Sequence, residues 1–523
     1  MHRETNMRDD AQKKNIRTVG VMMALTLLGK VLGLARDMLL GHHFATGMAA
    51  DAFLAASSIP RNFFDAIFAS AISASFIPVF NEYLEKKGKE EAFRLSSAFI
   101  TVMALLTAAL SALGMLLAGP ITALLADGFD AGTAALCARL LRILFPLMLF
   151  TGLAFSLVGI LQSLGEFNIP ALLSAASNAV IILYYIFFVG RFGVVGLAVA
   201  FLLGWAVQVL IQLPPLRALG YRYVPMLRHE GLHKVFLLAG PVLVSTWVQP
   251  LNLIVARRFA SHIDGGASAL EYANTLYTIV AGVFVLSVAN VIFPELSRYA
   301  AHEDDAALGE SISGTLGAML FLLTPMAAGL AVLARSVVRL LYEWRAWDAA
   351  STDLTAGALT FLSLGMLGYG VQIILSRAFY AEQKGKIPLI AGAASVVVNW
   401  ILCKLLAEPL GLRGLALASA ASLAIPALIL LFAAARRYRG VLRRAALVDF
   451  AKVLLAAALM GAAVRWANAA LTPLLADGLL GRALAVLLPT LLGVAVYFAL
   501  AWLLRVGTVQ QVKELVRGRR KPS

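Results

Sequence analysis

Cysteine is almost missing from this chain: 523 residues contain two, Cys137 and Cys403, both inside apolar runs. Two isolated thiols exclude a disulfide framework and the clustered spacings of a structural zinc site. Charge is scarce as well, at 14% of residues, and acids are fewer than bases, 29 Asp and Glu against 44 Lys and Arg. The pattern GxxxxGK[ST] does not occur, so no phosphate-cradling nucleotide loop drives the protein. His229 and His233 have i, i+4 spacing, but without HExxH order and in a basic segment they read as a solvated interfacial helix rather than a zinc site. Long hydrophilic segments are missing too: none between apolar runs exceeds about 20 residues, which leaves no room for a separate soluble domain. A hydrophilic lead, residues 1–17, precedes the first apolar run, and no small-residue cleavage site follows that run, so no removable signal peptide is expected.

What fills the chain instead is hydrocarbon. Hydrophobic residues make up 60% of it and the mean hydropathy is +0.83. A membrane span needs roughly 20 mostly apolar residues. Fourteen runs meet that need, at about 18–42, 52–82, 95–118, 134–161, 169–190, 194–216, 235–260, 268–297, 310–334, 353–380, 387–406, 411–435, 447–469 and 482–504. They are too long for barrel strands and lack the alternation that a barrel's two faces demand. The expected fold is an all-α polytopic membrane protein with about 14 transmembrane helices.

The formal charge of +15 is informative once located. With a cytoplasmic N-terminus, the inside segments hold 28 Lys and Arg and the outside loops hold 8. That bias follows the positive-inside rule, and an even number of spans puts both termini in the cytoplasm. The clusters RRYRGVLRR (436–444) and RGRRKP (517–522) then read as anchors for anionic lipid rather than nucleic-acid patches. The eight cations left over fall within apolar runs.

An internal repeat organises the runs. Residues 169–200 match 387–418 without a gap at eleven of 32 positions, including Ile169/Ile387, Pro170/Pro388, the AAS of 175–177 and 393–395, and GxxGLAxA at 193–200 and 411–418. A weaker echo pairs Phe68, Pro78 and Tyr83 with Phe284, Pro294 and Tyr299. Spans one to six thus map onto seven to twelve in the same membrane direction. The expected domains are a lead (1–17), an N-lobe (18–228), a C-lobe (229–440) and spans thirteen and fourteen with a basic tail (441–523). Two parallel lobes with a cleft between them form an architecture for alternating access.

The charges at membrane depth point to what such a cleft would hold. A Lys, Arg or Asp at a span's centre costs about 2.5–3.5 kcal/mol and normally faces a partner or a wet cavity. Lys30 and Asp37, seven residues apart, share a face of span one, and Arg36 projects toward a neighbour. On a helical wheel Asp51, Ser58, Asn62 and Asp65 fall on one stripe of span two, with Arg61 at i, i+4 from Asp65. One reading is simple neutralisation of three acids by three bases. The other is a cationic chamber for an anionic ligand, since guanidinium and ammonium groups suit phosphate oxygens. Arg139 and Arg142 in span four add to it or reach outer headgroups.

The run GKVLGLARDMLLG (29–41), then MAADAFLAASSIPRNF (48–63), SASFIPVFNEY (73–83), LLRILFP (140–146) and AFYAEQKGKIP (378–388) resembles the lipid II flippase family (MurJ, also called MviN) of the multidrug/oligosaccharidyl-lipid/polysaccharide exporter superfamily. The resemblance covers essentially the whole chain. It implies two six-helix lobes plus two appended helices, and transport without covalent chemistry. The implied substrate is undecaprenyl-pyrophosphate-linked disaccharide-pentapeptide, moved from the inner to the outer leaflet, its head group in a cationic cavity and its tail in a groove involving the last two helices. Arg36, Asp37 and Asp51 match the family pattern, and Lys30 stands where Arg is usual. Phe64 and Asp65 replace an arginine pair, with Arg61 after Pro60 offering one cation back. In SALEYANT (268–275) Ser268 and Tyr272 match, whereas Asn274 and Thr275 replace Asp and Arg.

The resulting expectation is a flippase, not an enzyme, acting as a monomer among membrane lipids. Lys30, Arg36 and Arg61 would contact pyrophosphate and sugar. Asp37 and Asp51 would orient them, and Asn62, Asp65, Ser268 and Asn274 would complete the lining. No cofactor is expected; energy would come from a coupling ion gradient, the membrane potential or substrate flux. The alternatives are an exporter of another polyprenyl-linked glycan, a cation-coupled drug exporter, or a membrane enzyme using HEDD (302–305).

Overall fold

The computed structural model describes residues 2–246, 248–302, 304–438 and 440–507, with the side chains of 2–19, 62, 63, 66, 241, 242 and 244–249 outside the described set. Arg439, Glu303 and the basic tail RGRRKP therefore lie outside the described residues. Every regular element among the described residues is helical. In hydrocarbon each backbone N–H and C=O needs a partner within its own segment, and a helix supplies it.

The chain divides into two compact units, Met1–Pro250 and Leu251–Ser523. The first contains α1 (His2–Phe44), α2 (Met48–Ser57), α3 (Phe64–Ala71), α4 (Ile77–Lys86), α5 (Lys89–Leu116), α6 (Ala118–Leu125), α7 (Ala131–Leu144), α8 (Leu147–Ser163), α9 (Asn168–Phe187), α10 (Val189–Leu210), α11 (Leu213–Ala218) and α12 (Glu230–Thr246). At the boundary begins α13 (Val248–Ala260). The second continues with α14 (Gly266–Tyr277), α15 (Val283–Ala301), α16 (Asp305–Tyr342), α17 (Ala349–Leu364), α18 (Met366–Ala381), α19 (Lys386–Arg437), α20 (Arg444–Leu471) and α21 (Leu479–Leu503). Among the described residues ten helices are long and apolar enough to cross a membrane, eleven when α17 and α18, bent by 43°, count as one span.

Each of the fourteen apolar runs falls on helix, with one difference in how they join. Runs 387–406 and 411–435 are two helices that meet without a loop at Gly411, where the backbone leaves helical geometry within Lys386–Arg437. The φ of Gly411, 57°, is in the left-handed region that only glycine enters without strain. The repeat partner Gly193 bends α10 with φ 54° at the same offset of 218 residues. The duplication seen as matching letters is thus also a duplicated bend.

Span two is not one regular helix. Between α2 and α3 lies a π-helical segment, Ser58–Phe63, and between α3 and α4 a second, Ile72–Phe76. Pro60 lies in the first and lacks an amide hydrogen, so the turn widens there. The single stripe expected for Asp51, Ser58, Asn62 and Asp65 assumes 100° per residue throughout, and the wide turn removes that register. A third π segment, Thr278–Gly282, interrupts span eight.

Close packing holds each unit. In the first, α1 lies along α9 with Gly29 against Ser174, where an added Cβ would come within 3.0 Å of the serine Cβ. Such small-residue contacts replace hydrophobic driving force inside lipid. One core of this unit stacks Phe76 on Phe99 at 4.4 Å among α4, α5 and α8. In the second unit, α20 and α21 are fastened to α16: Tyr497 Oη donates to the Phe321 carbonyl at 2.5 Å, and Asn468 Nδ2 donates to Ser336 Oγ at 3.0 Å and to the Ala485 carbonyl at 2.8 Å.

At one end of the second unit Glu382, just past α18, accepts from Tyr438 Oη, from Arg437 at 3.1 Å and from Lys384 at 3.2 Å. Burial alone would raise its carboxyl, but the donors from Tyr438, Arg437 and Lys384 outweigh it and hold it below the ordinary 4.5. A depressed folded-state value means the contribution is present above pH 4.5 and lost as pH falls below it. Thermal unfolding followed from pH 7 to pH 3 should show the second unit losing stability across that window. E382Q should already be destabilised at pH 7 and lose less on acidification; an unchanged pH profile in E382Q would discount the residue.

Candidate functional site

The first unit gathers the deep charges around two neighbouring spans. Arg36 on α1 bonds Asp37 twice, Nη2 at 2.7 Å and Nε at 2.9 Å, and its Nη1 reaches Asn178 Oδ1 on α9 at 2.9 Å. Asn178 is itself fixed by donating to the Gly29 carbonyl at 3.1 Å. The guanidinium therefore points at the neighbouring helix, and Asp37 serves Arg36 rather than Lys30. The side chains of Arg36 and Asp37 are 12% and 19% exposed, which leaves this pair partly open. Lys30 is exposed and carries no ion pair among the described residues.

Span two contributes Arg61 and Asp65 from either side of the π segment's end. Asp65 accepts from Thr151 Oγ1 on α8 at 3.2 Å. Arg61 sits with its guanidinium carbon 5.4 Å from the Phe201 ring centre on α10, and Arg36 lies at 5.4 Å from the same centre. Phe201 is buried and braced edge-on by Phe53 at 5.1 Å. Asp51 is buried in the first turn of α2, and Ser58 turns back to the Ala55 carbonyl at 2.6 Å. The side chain of Asn62 lies outside the described residues. On α7, Arg139 and Arg142 are both exposed.

The second unit is built differently. Ser268 is fully buried at the start of α14 and bonds the Gly265 carbonyl at 3.2 Å; Asn274 is half-buried on the same helix. Tyr272 packs against Tyr342 and Trp347, each at 5.1 Å. A buried ion pair here is one the span-by-span reading missed: Arg257 Nη2 to Glu271 at 2.6 Å, with the arginine 2% exposed. Where α9 presents Asn178 to an arginine, α19 presents Asn399 to the Asn252 carbonyl at 3.0 Å and to Cys403 Sγ. The two halves share a scaffold and differ in charge.

A cavity of about 430 Å³ opens within the second unit between α15, α16, α20 and α21. Phe284, Leu322, Met326, Met460, Thr490 and Phe498 line it, with no ionised side chain among its walls. A hydrocarbon chain leaving bilayer for such a groove would exchange one apolar surrounding for another, so the groove would fix position and give little affinity. Affinity for an amphiphilic anion must come from cations, which this groove does not supply.

Two residues of the acidic candidate for enzymatic chemistry make structural contacts, and Glu303 lies outside the described residues. Asp304 caps α16 by accepting from the Ala307 amide at 2.9 Å, and Asp305 lies 3.9 Å from Arg437. Among the described residues no group of His, Cys, Asp and Glu is placed to hold a metal ion.

Residues 40–484 match the family described as Lipid II flippase MurJ. A probable lipid II flippase MurJ of Rhizobium tropici is 31% identical over 533 residues, covering 97% of each chain. The lipid II flippase MurJ of Burkholderia cenocepacia is 27% identical, covering 80% of this chain and 84% of its own. Among solved structures, a lipid II flippase MurJ in an inward closed conformation superposes with a TM-score of 0.78 at 26% identity, over 92% of this chain and 97% of that one. An inward-facing multidrug resistance MATE family transporter of the MOP superfamily shares the fold, with a TM-score of 0.67 at 16% identity over 80% of this chain.

Proposed function

The chain belongs to the lipid II flippase MurJ family, and from that premise we propose how it moves its lipid. It is a transporter of the bacterial inner membrane that carries lipid II, the polyprenyl-linked peptidoglycan precursor, from the inner to the outer leaflet. Both termini are cytoplasmic in this reading, as the distribution of Lys and Arg demands, and one chain suffices. Arg36, Arg61 and Lys30 receive the pyrophosphate and first sugar. Asp37 and Asp51 keep the empty site neutral enough to persist in a membrane, with Asn62, Asp65, Ser268 and Asn274 completing the polar lining. The tail lies in the apolar groove of the second unit. The observation that carries this reading is the Arg36, Asp37 and Asn178 set: a guanidinium held by three hydrogen bonds, partly open, within the first apolar run of the sequence.

No nucleotide loop exists to drive the cycle, so alternating access runs on an ion gradient, the membrane potential or substrate flux. One net negative charge moving outward gains about 2.3 kcal/mol per 100 mV, inside negative, which suffices to bias a multiply anionic head group. The decisive experiment is depletion of the protein with radiolabelled lipid II followed by leaflet. Label should accumulate on the inner leaflet; unchanged arrival at the outer leaflet would overturn the reading. D304A with D305A should transport at the parental rate while the cap loss lowers stability by about 1 kcal/mol; lost turnover would instead favour an enzyme.

A further inference from the structure

We propose that Phe201 is the positioning residue of the head-group site, the ring on which Arg36 and Arg61 are both aimed. The inference rests on the reading of those two arginines as pyrophosphate contacts. Both guanidinium carbons lie 5.4 Å from the ring centre, so they stand no farther apart than twice that distance. Two like charges this close repel, and each has a carboxylate drawing it elsewhere: Asp37 for Arg36, and Asp65 four residues along span two for Arg61. An aromatic face carries negative quadrupole density and attracts a cation, most strongly where water is excluded. Phe201 is 3% exposed, and Phe53, itself fully buried, meets it edge to face at 5.1 Å, so the ring has little freedom to turn away.

The two arginines are not equally dependent on it. Arg36 keeps its bonds to Asp37 and Asn178 whatever stands at 201. Arg61 emerges from a π-helical segment four residues before Asp65. The ring gives Arg61 and Arg36 a shared neighbour, and two cations gathered around it suit a diphosphate, whose two phosphoryl groups each need a donor. Phe201 itself offers no hydrogen bond to substrate. It acts through the arginines.

The test is binding of short-tailed lipid II to the purified full-length chain in detergent, measured for the parent, F201L, F201Y, R36A, R61A and F201L/R61A. F201L keeps the apolar volume and removes the quadrupole; it should weaken binding about tenfold, the size of a desolvated cation–π contact. F201Y should stay within about threefold of the parent, which a purely volumetric role at this buried site would not produce. With Arg61 already gone, F201L should cost less than threefold. Full additivity of F201L and R61A, or parental binding in F201L while R36A binds poorly, overturns the role of Phe201 and leaves the head-group site intact. Parental binding in R36A and R61A overturns the site itself, and the inference with it. Should F201L unfold, F201M in the same cycle decides by the same criteria.

Discussion

Arg36→Ala should abolish growth of cells that depend on this protein for lipid II transport, while the variant still reaches the membrane. The expectation follows from what the side chain holds. Its removal strips Asp37 of two hydrogen bonds and Asn178 Oδ1 of its donor, and it subtracts one of the cations proposed to face the pyrophosphate. Breaking a buried ion pair from one side destabilises by about 3–5 kcal/mol, and with Asp37 at 19% exposure the lower end applies. Folding and transport must therefore be separated. Arg36→Ala with Asp37→Asn removes the orphaned charge, so abundance should recover while transport does not. Recovery of growth in that double variant would show that the arginine was needed only to neutralise its neighbour. Lys30→Ala should impair transport with no loss of abundance, because Lys30 is exposed and leaves no carboxylate stranded.

Thr490→Trp should block the lipid tail. Thr490 lines the apolar cavity of about 430 Å³ and spends its hydroxyl on its own helix, donating to the Val486 carbonyl at 2.7 Å. An indole there projects into the groove without leaving a buried polar group behind. In proteoliposomes, flipping of lipid II with its natural undecaprenyl tail should fall at least tenfold, whereas a farnesyl-tailed analogue should move at the parental rate. Equal loss for both tails would mean that the substitution acts on the fold and not on tail passage. The two variants thus test the proposed head contact and the proposed tail contact separately.

The helices themselves were legible because lipid leaves a chain no alternative: a run near twenty apolar residues must satisfy its own backbone. The repeat was legible as well, since proline and glycine are rare enough for matches such as Pro170/Pro388 and Gly193/Gly411 to stand out. Which side chains meet was not. The stripe drawn through Asp51, Ser58, Asn62 and Asp65 presumes a uniform helix, and the π segment Ser58–Phe63 breaks that presumption from within. The wheel put Lys30 and Asp37 on one face and aimed Arg36 at a neighbour, which it reaches in Asn178, but it did not show that Arg36 also holds Asp37. Asn178 and Thr151 carry no charge and lie 142 and 86 residues from the groups they bond, so nothing local marks them. An asparagine in mid-span was a signal that could have been used, because an unbonded amide in hydrocarbon is costly. Phe201 offered no signal at all, one phenylalanine among 28.

The bends at Gly193 and Gly411 carry a consequence for how such a chain can change over time. At both positions the backbone sits in the left-handed region, where a side chain costs ~1–2 kcal/mol. Neither glycine can drift to alanine for free, even though no neighbouring atom lies within 4 Å of where the new carbon would go. Shape in the two halves is therefore held by constraints internal to the backbone, while their polar residues are at liberty to diverge. A duplicated gene built on such pivots can specialise one half for recognising the cargo's charge and lend the other to its hydrocarbon, without renegotiating the architecture that both inherited.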